Sequence, residues 1–449
     1  MTRQIAVAVA AGLTLFGLAT GCQQLDGNTL DRLIIGEVMM HAEFSANLRA
    51  LAMPGGRLTG TPNAERAEQF VADRLHDYGL RNIHFEPYDM SCWTVRRTEV
   101  TLLTDPPRDL AGAVALARTL STPPGGITAE LVDLGDVKDA AGFAAPESEL
   151  RGRFVLVRDG GLPRSEKMRL ALERGAAGLV VMSDADHEPI IGNGHHEPRP
   201  EPGVVIRHDD DLLARLARGE QTRLNIQLDT TNWDCRPSNV IGEIPGRGPQ
   251  AREVDILCAH LDSWHLAEGA IDNGNGSATI LETARALTRV AWRPRRTVRF
   301  VWFMGEELGL TGSEAYVRQH QNELDDIVAV VNCDMPGSPR VFGVFGHPEL
   351  KAFLQGVRAN LVGYELKDEI EDWAGNGSDQ APFTAHGIAA LGLGGELGPG
   401  VKNYHTTGDT FEAVDRRGTV PSAAVLGVVV RQLADAPRRP TARAAPESP

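Results

Sequence analysis

The residues of this chain that could do chemistry fall between positions 260 and 405. They are His260 and Asp262 in AHLDSW, Asp272 in GAIDNGNGSA, the adjacent Glu306 and Glu307 in FMGEELGLTGSEAY, Asp334 in VNCDMPG, and His405 in NYHTTGDT. Imidazoles and carboxylates, with no thiol among them, suit a borderline divalent ion such as zinc. The set is too rich for one four-ligand structural site. It predicts two zinc ions per chain sharing a carboxylate, with one Glu left over as a base. Such a metal pair, about 3.5–4 Å apart, ionises a water held between the ions and clamps a carbonyl oxygen. The shared ligand must be a carboxylate, because one side chain has to offer an oxygen to each ion. Asp272 suits that role: it sits in a Gly/Asn-rich turn directly before a helical pattern, where close approach is sterically easy. Asp262 is placed to accept the second imidazole N–H of His260 and so fix its tautomer and ring direction. Glu306 and Glu307 should point in different directions, so that one binds metal while the other acts as general base. Two adjacent Glu are often simply solvated surface, but the apolar run VWFM before them argues for a buried strand that delivers them to a sheet edge.

Those side chains need a scaffold, and the pattern from residue 238 onward supplies one. Apolar strand-like runs (NVIGEIP, EVDILCAHLD, TVRFVWFMGEE, DIVAVVNCDMPG) alternate with helical stretches such as SATILETARALTRVA. That alternation predicts an α/β fold, a mostly parallel sheet with helices on both faces. Each candidate ligand follows a strand-like run, at the carboxyl ends of strands where open α/β sheets hold their sites. Upstream, Ala64 to Tyr78 carries apolar residues at helical spacing and stops at Gly79, and RNIHFEPY reads as a strand. From about 98 to 235 short apolar runs alternate with Gly and Pro: RGRFVLVRDG is a strand, SEKMRLALERG a helix ending at Gly175, followed by a buried strand and then GVVIR.

At 449 residues the chain exceeds what one core usually fills, so two domains are expected. The net charge of −15 argues against nucleic acid or an anionic membrane surface as partner. Arg3 followed by the apolar stretch Ile5 to Ala19 reads as a signal peptide over residues 1–21. Leu18-Ala19-Thr20-Gly21-Cys22 resembles a lipoprotein box, although the usual large aliphatic sits one place nearer the Cys than Leu18 does. Cys22 is thereby expected to carry a lipid anchor, the one membrane contact foreseen. The location expected is exported, in a bacterial cell envelope, lipid-anchored, or periplasmic or secreted. The tail 437–449 is Pro/Ala/Arg-rich and expected to be disordered.

The linked motifs HLDSW, GAIDNG, GEELGLTGSEAY, CDMPG, GSDQAPF and YHTTGDT, in that order, resemble the co-catalytic di-zinc aminopeptidase and carboxypeptidase Q-like metallopeptidases. GGRLTGTPNAERAEQFVADRLHDYGLRNIHFEPYDMSCW resembles the carboxypeptidase Q branch in particular. Residues 98–235 look like an inserted, β-rich protease-associated domain, leaving 22–97 and 236–436 as the zinc peptidase domain. The resemblance implies that His260, Asp272 and Asp334 hold one zinc, and that Asp272, Glu307 and His405 hold the other. It makes Asp272 the bridge, Glu306 the general base and Asp262 the orienter of His260. It also implies an exopeptidase, of aminopeptidase or dipeptidase type, acting on peptides or dipeptides. The sequence departs from the family at His265, where an acidic residue is frequent, and at Gln380, where a His is frequent. Neither is an implied ligand, but both bear on specificity.

Tyr404, Asp379 and Gln380 are expected substrate contacts, with Tyr404 also read as able to donate to a tetrahedral intermediate or simply to pack. Trp264 and Trp373 are read either as pocket walls or as core. His195 and His196 belong to a solvated loop, since no carboxylate cluster frames them. Ser263 and Ser277 lie in no nucleophile elbow. Cys258 and Cys333, on apolar strands, are buried thiols. Cys92 and Cys235 flank the implied insertion, where the chain leaves and returns, so a disulfide could join them. Two other readings stay open: a non-catalytic binding protein, or a single-zinc acyltransferase or cyclase, on the same fold. Metal stoichiometry and product analysis separate them. Side-chain preference and oligomeric state stay open as well.

Overall fold

The computed structural model describes residues 26–143, 147–290, 292–375 and 377–440. The expected signal peptide and Cys22 lie outside the described residues. Three helices open the fold: α1 (Gly27–His41), α2 (Phe44–Leu51) and α3 (Pro62–Tyr78). Thr61 caps α3 by accepting from the Ala64 backbone N–H, and Gly79, in the left-handed region, ends it. Strand β1 (Arg81–Pro87) follows, and β2 (Met90–Leu102) carries the chain into a second sheet.

That sheet is built from β2 with β3 (Arg108–Asp109), β4 (Val114–Ala115), β5 (Ile127–Asp133), β6 (Phe154–Arg158), β7 (Gly178–Met182), β8 (Gly203–Ile206) and β9 (Arg223–Cys235), in the order β3-β2-β9-β5-β6-β7-β8-β4. Helices α4 (Glu147–Leu150), α5 (Arg164–Glu173) and α6 (Asp210–Ala217) accompany it. The outgoing and returning strands pair antiparallel from Met90↔Cys235 to Leu102↔Leu224, so the excursion starts ahead of the expected boundary at residue 98. A disulfide between Cys92 and Cys235 closes its base.

After β10 (Ser238–Ile244) the chain builds the first sheet: β11 (Val254–His260), α7 (Asn275–Arg289), β12 (Thr297–Phe303), α8 (Thr311–Gln319), β13 (Ile327–Asn332), β14 (Ser338–Val344), α9 (Leu350–Asn360), β15 (Glu371–Asp372), α10 (Ala381–Thr384), β16 (Ala389–Glu396) and α11 (Arg416–Asp435). Its order is β1-β10-β12-β11-β13-β16-β14-β15. The central four, β12, β11, β13 and β16, are parallel, whereas β10 and β14 join them antiparallel. Both faces are buried. On β11, Leu257 and Ala259 join the core under α3, α7 and α11, while Ile256 and Cys258 join the opposite core with Tyr316 and Phe383. That two-sided burial is why β11 reads as an unbroken apolar run rather than an alternating one.

Trp373 lies over the backbones of β14 and β16, and a Cβ on Gly343 would come within 2.1 Å of its ring. It is half-buried there, edge-on to Phe345 at 5.7 Å. The expected disorder of the tail does not extend to Arg439, which pairs with Glu253 at 3.0 Å and donates to the Asp325 carbonyl; residues 441–449 lie outside the described residues.

Candidate active site

The candidate ligands converge on one edge of the parallel core. His260 ends β11, and its neighbours there are Phe303, the last residue of β12, and the Cys258↔Asn332 pairing to β13. Glu306 and Glu307 follow β12, and Asp334 follows β13, so adjacent parallel strands deliver all four to one place. His405 arrives on the loop after β16. Asp272 departs from the strand-end rule: it lies in the kinked turn Ala270–Gly274 before α7, where its own backbone is extended (φ −119°, ψ 105°) rather than helical. Asn273 staples that turn to the Asp334 segment, donating to the Cys333 carbonyl at 3.0 Å and accepting the Met335 N–H at 3.1 Å. Gly276 is required there, since a Cβ would meet Asn273 Oδ1 at 2.1 Å and the Cys333 carbonyl at 2.3 Å.

Asp272 occupies the centre. Its Oδ1 lies 3.1 Å from His260 Nε2 and its Oδ2 lies 2.8 Å from His405 Nε2. Asp334 Oδ1 is 3.4 Å from His260 Nε2, and Glu307 Oε2 is 3.0 Å from His405 Nε2. Two groups able to hold a metal ion result, His260–Asp272–Asp334 and Asp272–Glu307–His405, with the ligand atoms of each within 4.8 Å of one another. Asp272 Oδ1, Glu307 Oε1 and Asp334 Oδ1 are buried without a hydrogen-bond donor, the condition a cation would relieve. The donor set of imidazole and carboxylate fits zinc. Glu306 belongs to neither group.

Electrostatics agree with a cation-seeking site. Burial, then repulsion from neighbouring carboxylates including Glu307, pushes Glu306 well above the usual carboxylate range. Burial likewise pushes Glu307 up to about 7. Burial would lower His405, but Glu307 and Asp272 outweigh it and hold the imidazole at about 10.

Asp262 differs from expectation. His260 Nδ1 donates to the main-chain carbonyl of Asp262 at 3.2 Å, with the carboxylate farther off at 3.6 Å. That carboxylate instead accepts the N–H of Glu306 at 3.2 Å, the N–H of Glu307 at 3.3 Å and the Thr59 hydroxyl at 2.9 Å.

The expected substrate contacts divide. Asp379 and Gln380 are 0% and 1% exposed and present no surface to a substrate. Gln380 accepts from Asn332 at 2.9 Å, and Ser378 donates to Asp334 at 2.8 Å. Tyr404 stacks on His405 with centroids 3.7 Å apart, and burial followed by Asp272 and Glu307 keeps its phenol protonated. Trp264 is buried, edge-on to His405 at 5.9 Å. His265 packs edge-on to Trp93 at the base of the second sheet, where burial lowers it to about 4. His195 is buried, its Nε2 donating to the Glu201 carbonyl at 2.9 Å, so only His196 of that pair is solvated. Ser263 accepts from the Arg57 N–H, and Ser277 donates to the His260 carbonyl at 2.7 Å; neither is poised as a nucleophile.

Asp409 and Arg57 were not foreseen from the sequence. Asp409 accepts the N–H of Ile271 at 2.5 Å and of Asp272 at 3.2 Å, fixing the central carboxylate's backbone. Arg57, fully buried, donates to the carbonyls of Leu51, Leu261, Glu268 and Gly269 and frames the same turn. Asp409 was signalled only by its place in YHTTGDT, and Arg57 by its place in GGRLTGTP.

Comparison with known proteins agrees with this architecture. Residues 239–430 match peptidase family M28 and residues 127–211 match the PA domain. Carboxypeptidase Q of Mus musculus is 26% identical, covering 85% of this chain and 83% of its own. The probable lipoprotein aminopeptidase LpqL of Mycobacterium tuberculosis is 26% identical over 92% of this chain and 91% of its own. Among solved structures, a peptidase M28 precursor from Shewanella amazonensis superposes with a TM-score of 0.82 at 21% identity, over 93% of this chain and 99% of that one. With the α/β sheet and the second sheet set into it, these matches identify residues 239–430 as a peptidase family M28 region and residues 127–211 as a PA domain.

Proposed function

We propose that this peptidase is an exported two-zinc exopeptidase that hydrolyses the amino-terminal bond of peptides or dipeptides. One observation carries the reading: the two oxygens of Asp272 face two different imidazoles, at 3.1 and 2.8 Å, each backed by a second carboxylate. His260, Asp272 and Asp334 would hold one zinc, and Asp272, Glu307 and His405 the other. When bound, such a pair polarises the scissile carbonyl and acidifies water. Glu306, outside both ligand groups, accepts the proton of the attacking water and passes it to the departing nitrogen, so the C–N bond breaks as an amine leaves. The Asp262 carboxylate holds the Glu306–Glu307 backbone, and Tyr404 offers a phenol O–H beside the reacting carbonyl.

The disulfide Cys92–Cys235 supports an oxidising compartment, and the name of the mycobacterial relative supports the cell envelope. The names of both relatives support a peptide substrate. The test is Glu306→Gln, assayed on a panel of dipeptides, blocked peptides and aminoacyl amides alongside zinc analysis. Turnover should fall by about 100- to 10,000-fold with two zinc retained, the range expected for loss of a general base. A fully active Glu306→Gln enzyme overturns the mechanism.

A further inference from the structure

Among the described residues, the PA-domain insert hydrogen-bonds to one half of the candidate centre and not to the other. The Ile191 N–H donates to the His405 carbonyl at 3.1 Å, and His405 Nδ1 donates back to the Ile191 carbonyl at 3.1 Å. The Asn193 amide donates to the Glu307 carbonyl at 2.6 Å, and Arg118 donates to the carbonyl of Leu308 beside it. The Thr407 hydroxyl donates to Glu188 at 2.6 Å. Arg118, Glu188, Ile191 and Asn193 all lie between β2 and β9.

The contacts on the other half come from elsewhere. His260 donates to the Asp262 carbonyl, Ser277 holds the His260 carbonyl, and Ser378 donates to Asp334. None of these residues belongs to the insert.

Geometry gives the insert's contacts a purpose. A carbonyl can only accept, so His405 Nδ1 carries the proton and Nε2 is left facing Asp272 and Glu307. His405 also has φ +55°, a region that residues with a Cβ seldom adopt, and the reciprocal pair with Ile191 holds it there. Partners of this kind set ring orientation and ligand basicity, and their loss commonly weakens metal binding 10–100-fold.

We propose that the insert segment 188–193 is a positioning element that completes the Glu307–His405 half of the centre, so that affinity for the ion held there depends on the insert while affinity at His260 and Asp334 does not. This rests on the two-zinc reading above. The insert would then be part of the active centre's construction rather than an appended module.

The test is zinc titration of the full-length, metal-stripped protein against a chelating dye, for the wild type, Asn193→Ala and Thr407→Val. Thr407 is exposed, so its variant keeps the question answerable if Asn193→Ala folds poorly. The wild type should bind two zinc ions. In each variant one affinity should be unchanged and the other weakened by about 10-fold or more, with the melting temperature of the metal-free protein unmoved. Two unchanged affinities, or two that fall together, overturn the inference and leave the two-zinc reading standing. A wild type that binds fewer than two ions overturns that reading and the inference with it.

Discussion

The Oδ2 of Asp262 accepts the backbone N–H of Glu307 at 3.3 Å, while Oδ1 of the same carboxylate accepts that of Glu306 at 3.2 Å. One side chain thus fixes the backbone of both the proposed ligand and the proposed base, which sit in a loop beyond β12 rather than in the strand itself. Asp262→Asn keeps the shape but places an N–H₂ group against one of two N–H donors. The variant is expected to lose about 10–100-fold in kcat with zinc content unchanged. Steady-state kinetics beside metal analysis checks this. An effect confined to zinc affinity at His260 would show instead that Asp262 serves the imidazole.

A second prediction concerns stability and pH. Asp255, on β11, is 1% exposed and neither carboxylate oxygen has a hydrogen-bond donor. Burial pushes it up to about 7, with Arg296 pulling the other way. A carboxyl raised on folding favours the protonated state, so its penalty is absent below the unfolded value near 4. The penalty grows as pH rises toward 7. Asp255→Asn should therefore melt at a higher temperature than wild type at pH 8, and the gap should close by pH 4. Paired thermal melts across that range decide it; a variant less stable at pH 8 contradicts the assignment.

The disulfide at the base of the insert yields a third prediction. It joins residues 143 positions apart and braces the β2–β9 pairing. A closed loop of this size is worth about 4–5 kcal/mol in the chain-entropy account. Cys92→Ser/Cys235→Ser should lower the melting temperature by several degrees, measured by calorimetry, and an unchanged melting temperature would show the bond to be incidental.

What the sequence made legible follows from how local its signals are. The parallel core and its helices announced themselves because strands buried on both faces need apolar runs, and α3 because its helical apolar spacing stops at Gly79. The candidate ligands were readable because their types and spacing are unusual in an apolar context. Asp409, Arg57 and Asn193 were not readable as site residues, because each acts on a segment more than 100 positions away, through hydrogen bonds that leave no periodic trace. Gln380 looked like a cleft residue within a motif; its burial against Asn332 depends on how the turn before α10 meets the end of β13, which spacing does not encode. Asp262 shows the same limit at short range: proximity to His260 was legible, and the direction of its carboxylate was not.

The central claim is that two ions share Asp272. Crystals grown with zinc, measured at the zinc absorption edge, test it most directly. The account predicts two anomalous peaks about 3.5–4 Å apart, one against His260 and Asp334, the other against Glu307 and His405, with Asp272 between them. A single peak, or two that do not share Asp272, would contradict it.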